Sequence, residues 1–311
     1  MKKVILISQE STEIRVAVLE NNVLEELYFE RADQQKICGN IYKGIVKAIV
    51  PGIAAAFVTL KNAKDGFMYL EEETMVEIDE APINFLGFPL FGKDKKNQQN
   101  EDKLREKQSV VVQVVKEPIR NKGPRLTRRL SIPARYVVLV PGKKELGVSR
   151  RIINPQERRR IKKIFEEINL PQNAGFIVRT AAEGKNKKEF QRDIKYLMQQ
   201  WKQIQNDIRR KKSPALIHQE LNLVQRVIRD HLTENTDKII VDKKDLERKV
   251  SKFIKLYMPQ YKGKIIHEKS KTSLFDRYNI EHEIERTFRR KVNLACGGHI
   301  VIEQTEGLVA I

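Results

Sequence analysis

Cysteine is nearly missing: Cys38 and Cys296 are the only two in 311 residues, far apart and without a Cys-x-x-Cys partner. That pattern excludes a disulfide framework and a cysteine-built zinc site, and it suits a reducing compartment. Long apolar runs are missing too. Met1-Lys2-Lys3 followed by Val4 to Ile7 is too short for a secretory signal, and no stretch nears the roughly 18 apolar residues of a membrane span, so a cytoplasmic protein is expected. Acidic residues are in deficit, 41 against 60 Lys and Arg, for a net charge of +19. A field of that sign attracts polyanions and repels acidic proteins, which makes nucleic acid the expected partner.

The excess is local. Lys116 to Phe165 holds 16 basic and 3 acidic residues, so +13 of the +19 sits in one sixth of the chain. A solvated face is the ordinary meaning of a charge run, but a bias this concentrated, and this rich in arginine, favours a phosphate-binding surface. At 311 residues two to four modules are expected.

Val4 to Ser8, Glu13 to Leu19 and Val23 to Glu30 are apolar or alternating, the last two joined at Glu20-Asn21-Asn22, which predicts a β-meander. Short strands follow at Ile41 to Val50, Ala54 to Leu60, Phe67 to Leu70 and Ser109 to Val115, punctuated by Pro51-Gly52 and Asp65-Gly66; they suggest a small barrel. Gly92 to Gln108 is polar without periodicity and is expected to be an exposed loop. Asn154-Pro155 opens a helix to about Leu170, and Gly175 to Thr180 reads as a strand. Glu189 to Arg210 is a helix stopped by Ser213-Pro214, with Trp201 on its apolar stripe and so a core residue. Leu221 to Leu232, Lys244 to Met258 and Ile280 to Arg290 read as helices, and Lys238 to Val241, Ile300 to Glu303 and Gly307 to Ile311 as strands. A buried-type strand at Leu308 to Ile311 normally feeds an active-site loop, so a longer parent protein is expected.

Alternation within Ala54 to Leu60 and Gly66 to Leu70 puts the aliphatic residues on one face and Phe57, Phe67 and Tyr69 on the other. Exposed rings on a small barrel stack on unpaired bases; the same pattern also suits rings that fill a core. Tyr42 and Lys43 are expected beside them. Arg179 and Thr180 end a strand before Ala181-Ala182-Glu183-Gly184-Lys185, where guanidinium and hydroxyl can reach one terminal phosphate, although such a pair is more often structurally idle. Metal-assisted phosphodiester hydrolysis needs paired carboxylates. Asp242 is the best internal candidate and lacks a second acid, while Glu281, Glu283 and Glu285 read as the solvated side of a helix. The five histidines, His218 and His299 among them, show no ligand spacing.

Several stretches together resemble the RNase E/G family of endoribonucleases: Asn40-Ile41-Tyr42-Lys43-Gly44, Ala55-Ala56-Phe57-Val58, Gly66-Phe67, Asn121-Lys122-Gly123, Gly147-Val148-Ser149-Arg150-Arg151-Ile152, Val178-Arg179-Thr180-Ala181 and Gly297-Gly298-His299-Ile300-Val301-Ile302. Each is short, but they occur in family order from end to end. The resemblance implies an α+β multidomain fold. Residues 1–35 and 216–289 would form a discontinuous RNase H-like domain without RNase H activity. Residues 36–117 would form an inserted OB-fold barrel of the ribosomal S-one type, 118–215 a 5′-sensor region, and 290–311 the first strands of a DNase-I-like catalytic domain.

Carried over by position, Phe57 and Phe67 match the family's base-stacking aromatics and Lys122 its RNA-contacting lysine. Arg179 and Thr180 match the pocket for a 5′-monophosphate, Val138 and Arg150 match residues lining it, and Ala134 stands where some relatives have glycine. The implied partner is single-stranded RNA, preferably 5′-monophosphorylated. After a strand like Thr305 to Ile311, family members continue with an Asp-x-Asn motif whose Asp binds Mg²⁺, and later with a cysteine pair that shares zinc between subunits. No catalytic or metal-binding residue is therefore expected up to Ile311; Mg²⁺ is expected for the intact enzyme, and a homo-oligomer is open for it. The competing readings are a non-enzymatic RNA-binding or ribosome-associated protein, separated by Mg²⁺-dependent cleavage, and a DNA-binding protein, separated by competition between duplex DNA and unpaired RNA.

Overall fold

The computed structural model describes residues 3–31, 36–70, 75–78, 81–84, 104–119, 122–142, 145–270, 272–294, 296–305 and 308–311. Most of the expected polar loop, residues 92–103, lies outside the described residues, as does Asn121. The chain divides into two compact units, one from Met1–Gln35 with Leu221–Ile311, the other from Lys36–Glu220. The architecture is mixed α/β, with a closed five-stranded barrel and several mixed sheets.

The first unit carries a five-stranded sheet in the order Lys264–His267, Thr236–Val241, Lys3–Gln9, Glu13–Glu20, Val23–Arg31. The first three strands run parallel and the last three form the antiparallel meander. Its tight turn sits at Asn21 and Asn22, both at positive φ, a conformation that asparagine tolerates and hairpin turns need. Central strands covered on both faces read as continuous apolar runs, which is why Val4 to Ile7 and Ile239 to Val241 do not alternate. Leu274, Phe275, Ile280 and Ile284 pack on Val4, Leu6, Ala17, Leu19 and Ile240. The helices Leu223–His231 and Lys244–Tyr257 also lie against the sheet. Near the end of the described residues Lys291–Asn293 pairs antiparallel with His299–Val301, and Glu303–Gln304 with Val309–Ala310.

In the second unit, Ile41–Val50, Ala55–Thr59, Gly66–Tyr69, Arg125–Thr127 and Ser109–Lys116 pair in sequence, and the last returns to the first. Closure works because the ten-residue strand Ile41–Val50 has two partners. Ile41 to Ile45 pairs with Ser109–Lys116, and Ile45 to Val50 with Ala55–Thr59. A register shift between Val46 and Ala48 marks the bend between them, as barrels require. The interior holds Tyr42, Val46, Ala56, Val58, Leu60, Met68, Val110, Val112, Val114 and Leu126.

The rest of that unit is a four-stranded sheet, ordered Ile132–Pro133, Val137–Pro141, Ala174–Val178, Leu146–Val148. Two helices pack on it. Pro155–Glu166 is capped by Asn154, whose side chain accepts the Gln156 and Glu157 amides; Lys187–Arg210 starts with a capping box of Asn186 and Glu189. Phe165, Phe190, Ile194, Leu197, Trp201 and Ile204 fill one core with Val137, Leu139, Phe176 and Val178, so Trp201 is a core residue as expected.

Candidate nucleic-acid interface

The barrel strands Ala55–Thr59 and Gly66–Tyr69 pair so that Phe57 sits opposite Phe67. Their ring centroids are 5.8 Å apart, and Phe67 meets Tyr69 edge-on at 4.8 Å. Phe57 is 36% exposed and Tyr69 40%, while their neighbours Ala56, Val58 and Met68 are buried in the barrel. Edge-to-face contacts set the rings at steep angles to one another, with Phe67 half-buried between its two exposed neighbours. Of the two sequence readings, rings in a core and rings on an outer face, the geometry is the second.

Cations border the row. Arg125 pairs with Phe67 on one side and with Lys116 on the other, and both side chains are exposed. Lys122 is exposed in the segment leading to Arg125. That segment is drawn tight against the barrel: the Phe67 amide donates to the Pro124 carbonyl at 2.8 Å, and a Cβ on Gly123 would lie 1.8 Å from the Asp65 carbonyl oxygen. Asp65 itself accepts from the Lys47 ammonium at 2.5 Å, which holds its carboxyl below the usual range.

Two expected neighbours do not join the row. Tyr42 is only 4% exposed and sits inside the barrel. Its parity follows Val46, which also lies inside the barrel. Lys43 points outward, but its ammonium donates to the carbonyls of Ile208 and Lys211 at 2.8 and 3.0 Å, at the C-terminal end of Lys187–Arg210. A cation there satisfies orphan carbonyls and complements the helix dipole.

At one end of the four-stranded sheet, three loops converge. The Arg179 amide donates to the Tyr136 carbonyl at 2.8 Å, and the Arg179 guanidinium donates to the Ala134 carbonyl at 3.0 Å. Ser149, which follows Leu146–Val148, donates its amide to Val178, and its hydroxyl lies 3.3 Å from the Thr180 hydroxyl. Arg150, next in the chain, is exposed. Ala134, Arg150, Arg179 and Thr180 therefore lie in loops that meet at one end of the sheet, with Ala134 buried and contributing its carbonyl. Val138 lies inside its strand opposite Ile177, and both are buried.

The supports of these loops were not visible in the motif pattern. Arg158 donates to the carbonyls of Ser149, Ile152 and Val148 at 2.6, 3.2 and 3.3 Å. Glu157 accepts from the Arg160 guanidinium at 2.7 Å and from the Gly184 amide at 2.9 Å; the arginine foremost, and the amide after it, hold its carboxyl down to about 2. Asp193, 6% exposed, accepts the amides of Tyr136 and Val137 at 2.6 and 3.2 Å. An acid within the apolar arc Phe190, Ile194, Leu197 is the signal that could have found it.

The Asp242 carboxylate accepts from the Ser8 hydroxyl at 2.8 Å and the Gln9 amide at 2.9 Å, and among the described residues no three His, Cys, Asp or Glu side chains come together to hold an ion. A single carboxylate held by a hydroxyl and an amide does not make an Mg²⁺ site. Glu281 and Glu283 are not simply solvated as expected: Glu281 accepts from Arg15 at 2.8 Å and Glu283 from the Leu24 amide at 3.3 Å, while Glu285 is exposed. His218, lowered by burial, lies in the strand Ala215–His218 beside the barrel, and His299 lies in an exposed hairpin. Among the described residues no helix is long and apolar enough to cross a membrane.

The fold and this surface define a mixed α/β protein whose barrel offers flat rings beside cations, an arrangement suited to a polyanion with unpaired bases. Comparison with known proteins narrows the class. The sequence model of the Ribonuclease E/G family matches residues 131–311, more than half of the chain. Ribonuclease G of Escherichia coli (strain K12) is 34% identical over 310 residues, covering 99% of this chain and 61% of that protein. Ribonuclease G of Haemophilus influenzae is 33% identical over 311 residues with 61% of its length covered, and Ribonuclease E of Escherichia coli (strain K12) is 34% identical over 314 residues with 28% covered. The chain belongs to the Ribonuclease E/G family. It spans about three fifths of the length of the Ribonuclease G relatives it matches.

Proposed function

We propose that this chain is the RNA-holding and 5′-end-sensing part of an E/G-type endoribonuclease that cleaves single-stranded RNA in RNA processing and decay. The observation that carries the reading is the outward-facing row of exposed Phe57, half-buried Phe67 and exposed Tyr69, bordered by Arg125 and Lys116. Open rings accept stacked bases of any identity, and adjacent cations accept the backbone phosphates. Duplex DNA offers no free base faces to such a row, which disfavours a DNA-binding role.

In this reading the barrel is an OB-fold of the S-one type, and Lys122 joins the RNA contacts. The loops of Ala134, Arg150, Arg179 and Thr180, with Val138 behind them, form the 5′-monophosphate pocket. Residues 1–35 and 221–289 form an RNase H-like scaffold, the strand Ala215–His218 going with the barrel instead, and 290–311 begin a DNase-I-like domain. Hydrolysis, with its Mg²⁺, is assigned to the share of the relatives' length that has no counterpart in these 311 residues. Water would attack the phosphodiester in line, leaving a 3′-hydroxyl and a 5′-phosphate.

The test compares one oligoribonucleotide carrying a 5′-monophosphate, a 5′-triphosphate or a 5′-hydroxyl at fixed salt. Wild-type protein should bind the monophosphate form most tightly, and Arg179→Ala should bind all three alike. Equal affinities in the wild type would remove the sensor from the proposal.

A further inference from the structure

The row of rings does not end at Phe67. Tyr69 follows two residues later on the same face, about 7 Å along the strand. The guanidinium carbon of Arg125 lies 5.1 Å from its ring centroid, in cation–π contact. Arg125 is itself in register with Lys116 on the neighbouring strand, and both are exposed. Phe57, Phe67, Arg125 and Lys116 thus form a lateral row across four strands, with Tyr69 stepping off it beneath the guanidinium. A planar guanidinium lying on an aromatic ring is a preassembled stacking surface, because bases stack on guanidinium planes as they do on rings.

We infer that Tyr69, Arg125 and Lys116 form a further nucleotide position beside Phe57 and Phe67, where a base of an unpaired strand stacks on the Tyr69–Arg125 pair and its phosphate meets Lys116. The inference rests on the proposed RNA-holding role of the barrel and adds a separate subsite to it. Its chemistry suits flat bases joined by phosphates: Arg125 and Lys116 supply positive charge, and Tyr69 supplies a ring under the intrinsically planar guanidinium.

The experiment measures the affinity of the 311-residue chain for 5′-hydroxyl oligouridylates lengthened one nucleotide at a time, by fluorescence anisotropy at two salt concentrations. The hydroxyl end keeps the loops of Arg179 and Thr180 out of the measurement. Wild-type affinity should rise in steps with length. Tyr69→Ala should erase one late step, roughly 5- to 100-fold, and leave the shortest oligomers unaffected, while Tyr69→Phe keeps the step. Arg125→Gln, which leaves the ring in place, should shrink the same step and flatten the salt dependence. If Tyr69→Ala and Arg125→Gln bind every length like the wild type while Phe57→Ala is weakened, the added position is wrong and the ring platform stands. If Phe57→Ala also binds like the wild type, the platform is wrong and the added position falls with it.

Discussion

The buried carboxylate of Asp193 accepts the Tyr136 backbone amide at 2.6 Å, and so ties the helix Lys187–Arg210 to the turn whose Ala134 carbonyl receives the Arg179 guanidinium. Burial pushes the Asp193 carboxyl up to about 6, against the pull of the two amides and of Arg135 and Arg179. An unfolded carboxyl titrates near 3.9, so between roughly pH 4 and 6 the folded chain keeps a proton that the unfolded chain releases. The stability contribution of this group is therefore full below about pH 4 and is lost as pH rises through 6, by at most about 3 kcal/mol. Asp193→Asn keeps an acceptor for both amides and removes the titration. Its urea stability relative to wild type should improve from pH 4.5 to pH 7; a difference that does not change with pH contradicts the assignment.

Arg158 holds the Ser149 loop by three carbonyls, so Arg158→Ala should lower stability by roughly 2–3 kcal/mol, the range for losing charge-assisted bonds in a part-buried site. Chemical denaturation at neutral pH measures it. An unchanged midpoint would mean that the loop stands without the guanidinium.

Lys43 caps a helix end, so Lys43→Met should cost about 1–2 kcal/mol of stability and leave the affinity for 5′-hydroxyl RNA unchanged. Thermal unfolding beside RNA titration separates the two effects. A variant of full stability with weakened RNA binding would return Lys43 to the interface.

Gly123 has no room for a methyl group against the Asp65 carbonyl, and that obstacle is backbone on both sides. Gly123→Ala should destabilise by about 1–3 kcal/mol, as overpacking does, and should also weaken RNA binding because the Pro124 carbonyl anchors Phe67. Wild-type melting and wild-type affinity together would show that the segment yields freely.

Much of the fold was legible because its elements carry local signals. The meander announced itself by apolar strands and an Asn-Asn turn, the helices by Asn caps and apolar stripes, and the barrel by short strands with glycine and proline between them. The strands Arg125–Thr127, Ile132–Pro133, Val137–Pro141, Leu146–Val148, Ala215–His218 and Lys264–His267 were not, since they run two to five residues and are defined by partners far along the chain. The family itself was readable from ordered short motifs, and residues 131–311 match the family's model. The ring row was readable from alternation between Phe57, Phe67 and Tyr69. Tyr42 was misplaced because nothing local to Asn40-Ile41-Tyr42-Lys43-Gly44 says which face of the strand lines the barrel, and closure turns Tyr42 inward with Val46. The pocket loops showed their tips, Arg179 and Thr180, but not their supports, because Arg158 and Asp193 act on backbone groups brought close only by folding.

The central claim is that open rings on the barrel hold unpaired RNA. Affinity for a single-stranded 5′-hydroxyl oligoribonucleotide, compared between wild type and the Phe57→Ala/Phe67→Ala double variant at matched salt and with melting curves checked, tests it most directly. The account predicts a loss of at least about 10-fold with melting little changed, from two stacking contacts removed. Equal affinities, or a wild type that fails to bind such RNA even in dilute buffer, would contradict it.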